Sequence, residues 1–525
     1  MKREPIILTI FALVFVTISL SSYTQKSATY DEPEHLTIGY AALARREYRL
    51  GYESPPFVRM WAAFPLMFMR DITFDTNSVH RLNGNNTKFC NEFLYKQNDT
   101  DRLLYPARFM IVLLGVALGL LLFAWARQLF GCGVATVVLM LYTLEPNILA
   151  HASVVTTDLG VAFLFCGTLY FLWRTTRVFN AVNLLAVAVL FALAQVSKFS
   201  ALTLWPITIV LLAIYGVQKR CIAKALLVLV CMLAATFAAI WAVYGFCHAA
   251  SPGDYFLPQA YVHGVRSQFA ANTSWPVFLA GEISDRGWWY YYLVAFLVKT
   301  PVALLALFFG GLAVCAMRRE KFFEDEVFLL LPLAMFLAAA SLFKFNLGLR
   351  YILPIYPLVL LIAGRFVATL VNDRHRLVLI SVLALSGMEW AWIHPHELAF
   401  FNLLVGGPRH GSEWLVDSNL DWGQDLKLLK RWMQTHNVSH INLSYFGTAD
   451  PAYYEIEYTP LPGYPPFVPF APPRLPGYVA ISATNLRGVY LTEVGRALYR
   501  PLLQMKPVAT IGYSIYIYRV ERPWW

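Results

Sequence analysis

Acids and bases are scarce in this chain, yet they recur at the ends of apolar runs. The segments are YDEPEH at 30–35, HASVVTTD at 151–158, Ser197 and Lys198, SDRGWWYYYLVAFLVKTP at 284–301 and FKFNLGLRYILPIYP at 343–357. Charge is costly at membrane depth, so five distant segments bringing it to one level imply a site at a membrane–water boundary. A carboxylate such as Asp31, Glu32 or Asp158 held against a hydroxyl is a general base. Lys198, Lys299 and Arg350 placed opposite can hold a phosphate and stabilise the charge it gains on leaving. Neither a G-x-G-x-x-G nor a G-x-x-x-x-G-K loop occurs, so a soluble nucleotide donor is not indicated. A donor with its phosphate at the boundary and its tail in lipid fits the placement better.

Each residue also has a plain structural reading. The acids at 31–34 are solvated loop charges, Asp158 is a helix N-cap, and Lys198 and Arg350 snorkel to the interface. Lys299 lies some eleven residues into a run starting at Trp288 and must find water, a phosphate or a carboxylate. His35 and His151 with nearby acids are candidate ligands for a divalent metal, although no His-x-x-x-His pair supports them. Cys90 and Cys247 are the candidate disulfide.

These residues need membrane helices to position them. Of the 525 residues, 58% are hydrophobic and 14% charged, against roughly 45–50% and 25% in soluble domains. That excludes a soluble globular enzyme, a disordered chain and a disulfide scaffold. Eleven apolar runs are long enough to span, near 5–22, 104–124, 133–150, 157–173, 181–197, 199–217, 225–246, 288–315, 327–344, 351–370 and 377–394. The first reads as an uncleaved anchor rather than a signal peptide. Lys2, Arg3, Arg127, Arg174, Arg177, Lys219, Arg220, Lys224, Arg318, Arg319, Lys321, Arg374 and Arg376 fall on one side, which the positive-inside tendency makes cytoplasmic. The net charge of +10 is therefore orientation and anchoring, and nucleic acid is not an expected partner. The N-terminus is expected in the cytoplasm and the C-terminus outside.

The expected fold is mainly α, a polytopic membrane protein of about eleven helices with a small C-terminal extracytoplasmic α/β domain. Residues 1–398 form the membrane domain, with outer loops at 23–103 and 247–287, and 399–525 the outer domain. Residues 54–69 read as a short interfacial helix. HINLSYFG, GYVAISATN and YSIYIYRV alternate like strands, and DSNLDWGQDLKLLKRWMQ reads as a helix with Asp421 as candidate N-cap.

In combination, YDEPEH, SPPFVRMW, HASVVTTD, SKFSAL, GWWYYYLVAFLVKTP, LRYILPIYP and DSNLDWGQDL resemble the GT-C glycosyltransferases of the protein O-mannosyltransferase and aminoarabinose transferase type, in a bacterial form. The resemblance spans nearly the whole chain. It implies transfer of a sugar, a hexose or pentose, from a polyprenyl-phosphate carrier to an acceptor hydroxyl or phosphate outside the cytoplasm, with inversion. It makes Asp31 the base, with Glu32 beside it, and Asp158 a second acid. Lys198, Lys299 and Arg350 become donor-phosphate contacts, with Arg59 and His151 in the same pocket. Membrane lipids and a lipid, glycan or exported-protein acceptor are the implied partners, and the bacterial cytoplasmic membrane the implied location. The large trefoil insertion of eukaryotic protein O-mannosyltransferases is lacking, which counts against a protein acceptor. The competing reading is a transporter or flippase of a lipid-linked glycan, which would carry mid-membrane charge on broken helices and an inverted repeat.

Overall fold

The computed structural model describes residues 4–246, 256–270, 275–317, 322–344, 346–371, 375–465 and 469–523. Lys2, Arg3, Arg318, Arg319, Lys321 and Arg374 of the expected cytoplasmic set lie outside these, as do Cys247 and part of the expected loop 247–287. Cys90 is buried as a free thiol.

The chain is mainly helical and is an integral membrane protein. Among the described residues eight helices are long and apolar enough to cross a bilayer, or up to ten if each of two bent pairs is one span. The difference from eleven has local causes. The expected span at 181–197 is the 15-residue helix Ala181–Gln195, about 23 Å at 1.5 Å per residue and shorter than the hydrocarbon layer. The run at 133–150 breaks into Cys132–Thr143 and Pro146–Ala152 at 63°, and that at 288–315 into Tyr291–Lys299 and Val302–Met317 at 119°. Pro301 cannot donate to a continuing helix. Asn402 Nδ2 satisfies the freed carbonyls of Leu297 (2.6 Å) and Thr300 (2.8 Å), and Asn147 Nδ2 that of Lys299 (2.7 Å).

Burial ranks the spans. Asp158–Arg177 and Leu349–Leu370 are 78% and 83% buried over their apolar windows, whereas Ile222–Val243 and Arg376–Ile393 are 22% and 17% buried. The first two form the bundle's centre and the last two face lipid. Asp158 and Arg350 stand at the starts of the two central spans. The helix Thr100–Phe130 has 31 residues, about 46 Å, longer than the bilayer core. Its first turn reaches the C-terminal domain, where Asp101 meets Lys427 at 2.7 Å.

The loop after the first span is structured. Glu32–Arg45 packs directly on Phe57–Ala63, and a Cβ at Gly39 would lie 2.1 Å from the Arg59 carbonyl oxygen. The expected interfacial helix is present as Phe57–Ala63 continued by a 3-10 turn, Phe64–Phe68, with Phe64, Met67 and Phe68 exposed.

Strands β1 (Val277–Leu279) and β2 (Glu282–Ser284) form a hairpin. The small C-terminal sheet domain contains β3 (Ile441–Ser444), β4 (Tyr458–Pro460), β5 (Gly477–Ser482), β6 (Ala509–Ile511) and β7 (Ile515–Val520) in the order β4-β3-β5-β7-β6. Strand β3 runs parallel to β4 and β5, and β7 antiparallel to β5 and β6. The expected alternation is lost on the central strands: β3 is buried throughout and β5 from Val479 to Ser482, because parallel central strands are covered on both faces. The expected helix from Asp421 is only Leu426–Thr435, and Asp425 takes the N-cap position. Asp421 is instead fully buried and accepts the backbone N–H of Thr484 at 2.8 Å.

Candidate active site

Asp31 sits at the N-cap of Glu32–Arg45. Its carboxylate accepts a hydrogen bond from Arg350 Nη1 at 2.6 Å, with side-chain exposures of 28% for Asp31 and 10% for Arg350. The loop that delivers Asp31 is tied to the C-terminal domain. The Tyr30 N–H donates to the Trp422 carbonyl (2.8 Å), the Ser27 N–H to that of Gln424 (3.0 Å), and Thr448 Oγ1 to that of Tyr30 (2.7 Å). Arg350 lies on the 3-10 turn Leu349–Ile355, which leads into the central helix. Its guanidinium is 4.3 Å from the Trp422 ring centroid and 5.3 Å from that of Tyr351. That turn is fixed by residues 418–419. Ser418 Oγ donates to the Leu347 carbonyl and the Leu349 N–H to Asn419 Oδ1 (2.9 Å), and a Cβ on Gly348 (φ +137°) would meet Ser418 Oγ at 2.5 Å.

A second ion pair stands beside the first. Lys198 donates to Asp158, which is 1% exposed, and its ammonium lies 4.5 Å from the Tyr351 ring centroid. The Tyr351 ring thus takes a cation from each pair. Gly160, two residues into the Asp158 helix, lets Val58 approach closely, since a Cβ there would meet Val58 Cγ2 at 2.5 Å. This contact brings Arg59 and His35 to the same end. Arg59 Nε donates to His35 Nδ1 (2.8 Å) and Nη1 to the Gly51 carbonyl (2.9 Å). Burial, and then the Arg59 charge, hold the His35 imidazole well below its usual range, with Asp158 opposing. His35 is therefore neutral. His151 is 3% exposed, meets the Trp422 ring edge to face at 6.3 Å, and has an Nδ1 with no hydrogen-bond partner among the described residues.

Two of the expected site residues are used elsewhere. Glu32 is fully buried and bidentate with Arg108, Nε to Oε1 at 2.8 Å and Nη2 to Oε2 at 2.6 Å. It also accepts the N–H groups of Thr29 and Val155 at 2.8 Å each, while Arg108 reaches the carbonyls of Tyr23, Lys26 and Ser27. Lys299, 2% exposed at the 119° bend, donates to the carbonyls of Leu398 (2.9 Å) and Asn419. Asp31, Arg350, Asp158, Lys198, His35, Arg59 and His151 share one end of the bundle with Trp422. Among the described residues no three His, Cys, Asp or Glu side chains converge as metal ligands, and His35 Nδ1 is taken by Arg59. The described side chains at this end do not make up a ligand set for a divalent metal.

Sequence reasoning missed Arg108, Tyr351, Trp422 and the turn at Asp417–Asn419. Arg108 was detectable as a lone cation early in an apolar run. Trp422 and Asp417 lie in the DSNLDWGQDL motif, with nothing local to say that it returns to the membrane end.

Residues 101–244, which include Arg108, His151, Asp158 and Lys198, match the family model described as dolichyl-phosphate-mannose-protein mannosyltransferase. Among solved structures, apo ArnT from Cupriavidus metallidurans aligns with a TM-score of 0.50 and 14% identity over 98% of this chain and 97% of that one. The same protein bound to undecaprenyl phosphate aligns with a TM-score of 0.48 and 14% identity, over the same shares of the two chains. The apo Archaeoglobus fulgidus oligosaccharyltransferase gives 0.46 and 12% identity, over 94% of this chain and 71% of that one. No curated protein sequence matches.

Proposed function

We propose that this chain, which has the GT-C glycosyltransferase fold, transfers a sugar from a polyprenyl-phosphate carrier to an acceptor on the extracytoplasmic side of a bacterial cytoplasmic membrane. The observation that carries the reading is the pairing of Asp31 with Arg350 and of Asp158 with Lys198, at the starts of the two central spans. The family description matched by residues 101–244 supports a polyprenyl-phosphate-linked donor. The orientation draws support from Arg127 and Arg177, at the far ends of the helices that carry Asp101 and Asp158; they pair with Glu4 and Asp325, and Lys219 pairs with Glu324. Residues 399–525 then form the extracytoplasmic, acceptor-facing domain.

The pairs describe the donor-free enzyme. An incoming phosphate competes for Arg350 and Lys198, since each can exchange a carboxylate for a phosphate oxygen. As Arg350 turns to the phosphate, the Asp31 carboxylate is freed to accept a hydrogen bond from the acceptor hydroxyl. The acceptor oxygen then attacks the anomeric carbon from the face opposite the phosphate. Its proton passes to Asp31, the bond between the anomeric carbon and the phosphate oxygen breaks, and polyprenyl phosphate leaves with the electron pair. Arg350 and Lys198 stabilise the charge on that phosphate. Until the phosphate arrives Asp158 holds Lys198 in place, and neutral His35 orients Arg59. In this reading Glu32 and Lys299 are positioning residues: Glu32 fixes the loop that ends in Asp31, and Lys299 fixes the turn that supports Arg350.

The test is transfer from a radiolabelled polyprenyl-phosphate sugar by the purified protein in detergent. Label is expected to leave the carrier with wild type and not with Asp31→Asn. Turnover by Asp31→Asn within a few-fold of wild type would reject Asp31 as the base.

A further inference from the structure

The turn at Asp417–Asn419 brings a third carboxylate to this end of the molecule. Asp417 adopts φ +57°, a left-handed conformation that Asp tolerates better than most residues. Its N–H donates to Thr484 Oγ1 at 3.0 Å, and its carboxylate accepts from the Ser418 N–H and the Tyr490 hydroxyl. A carboxylate offers about four acceptor positions, so Asp417 keeps unused ones. It is partly exposed, as is Asp31. Burial, Tyr464, and the Asp31 and Asp417 charges together push the Tyr30 phenol up, so both carboxylates act on that ring.

Beside the acids stands an aromatic wall. Phe446, 2% exposed, is stacked against Tyr30 (5.4 Å, 30°) and against Tyr490 (5.8 Å, 17°). Tyr464 lies 4.9 Å from Tyr490. Phe446 fixes the other rings, while Tyr30, Tyr464 and Tyr490 remain half-exposed. Trp422 joins this cluster to the ion pair through the guanidinium of Arg350. Behind Trp422, the Nδ1 of buried His151 has no hydrogen-bond partner among the described residues. Rigid aromatic faces beside fixed acceptors suit one ligand chemistry especially well. A sugar ring has an apolar C–H face to lay on an aromatic surface and hydroxyls around its edge to donate to carboxylates.

We propose that Asp417, Tyr490, Tyr464 and Tyr30 form the acceptor subsite and that the acceptor is a saccharide. Its reacting hydroxyl meets Asp31, and a neighbouring hydroxyl donates to Asp417. This deepens the transferase reading and rests on it. A lone Ser or Thr hydroxyl would leave the Asp417 acceptors and the aromatic wall unused.

The experiment uses the full-length protein in detergent with a labelled polyprenyl-phosphate hexose. Acceptor probes are octyl glucoside, octyl galactoside, octyl mannoside and a threonine-containing tripeptide, and release of free sugar to water is followed in parallel. Wild type is expected to glycosylate at least one of the glycosides and not the tripeptide. Asp417→Asn and the more conservative Tyr490→Phe are each expected to lower the ratio of glycoside transfer to hydrolysis about ten-fold or more, as when a site built to bind a hydroxyl loses its partner. Transfer to the tripeptide alone, or equal falls in transfer and hydrolysis in both variants, would overturn the assignment. Donor turnover with no glycoside product would sink the saccharide acceptor and leave the transferase reading standing. No donor turnover at all would sink both.

Discussion

Asp31 and Glu32 are consecutive residues with opposite surroundings. The Asp31 carboxylate is 28% exposed and has one partner among the described residues, an arginine that also leans on two aromatic rings. The Glu32 carboxylate is fully buried, and both its oxygens are bonded to Arg108 and to backbone N–H groups. In the proposed reading the first belongs to the mouth of the site, where a pair can open to admit a ligand. The second belongs to the clamp beneath, where opening would leave charge in a low-dielectric interior. A one-residue step along a helix start separates exchangeable chemistry from fixed architecture. Asp158, 1% exposed, is buried like Glu32, but its partner Lys198, 15% exposed, reaches the mouth side of that division, and Lys299 falls on the clamp side.

The largest effect expected at the mouth is on rate. Asp31→Asn should reduce transfer by about 10²–10⁴-fold, the usual loss on removing a general base, with the unfolding temperature nearly unchanged. A large fall in melting temperature would move Asp31 into the clamp. At the clamp the expectation reverses. Glu32→Ala strands the Arg108 charge and should cost about 3–5 kcal/mol of stability, read as loss of folded protein in detergent. If Glu32→Ala unfolds like wild type while transfer vanishes, the two acids would have to be treated as one site.

Asp421 extends the comparison to pH. It is fully buried without a cation, and burial raises its carboxyl to about 8 from an ordinary 3.8. The folded chain keeps a proton that the unfolded chain releases above about pH 4. Its contribution to stability is therefore complete below pH 4 and is lost progressively as pH rises to about 8. Melting temperatures of wild type should fall from pH 5 to pH 8, and Asp421→Asn should flatten that decline. An unchanged slope in the variant would remove Asp421 as its source. Lys299→Met comes next, with a loss of about 1.5–3 kcal/mol from hydrogen bonds to a charged donor and little change in the KM for donor. A raised donor KM at unchanged stability would place Lys299 among the phosphate contacts.

Much of this division was open to sequence reasoning, and its failures have physical causes. Scarce charge at the ends of apolar runs pointed to Asp31, Asp158, Lys198 and Arg350, because the membrane penalises charge wherever it is not needed. The same rule could not tell Asp31 from Glu32, since burial depends on Arg108, which is 76 residues away in the chain. Lys299 read as a cation deep in a span because hydropathy does not register the 119° bend at Pro301. Alternation over the strands missed that β3 and β5 are covered on both faces. The distant turn at Asp417 was least legible, because its role comes from where the C-terminal domain docks.

The smallest effect is expected at that docking surface. Lys427 Nζ binds both oxygens of Asp101 at 2.7 Å and the Tyr105 hydroxyl at 2.8 Å, joining the C-terminal domain to the long helix Thr100–Phe130. The pair is partly open to water, with side-chain exposures of 14% for Lys427 and 37% for Asp101. Solvent screening then limits such a bond to about 0–1 kcal/mol, although three contacts are drawn to one ammonium. Lys427→Ala should shift the unfolding temperature by a degree or two at low salt and by less at high salt. The domain stays in place because the Tyr30, Ser27 and Thr448 hydrogen bonds and the Asn402 contacts hold it independently. If Lys427→Ala instead matched Glu32→Ala in its cost, the clamp would reach out to the docking surface, and the boundary drawn between Asp31 and Glu32 would have to move with it.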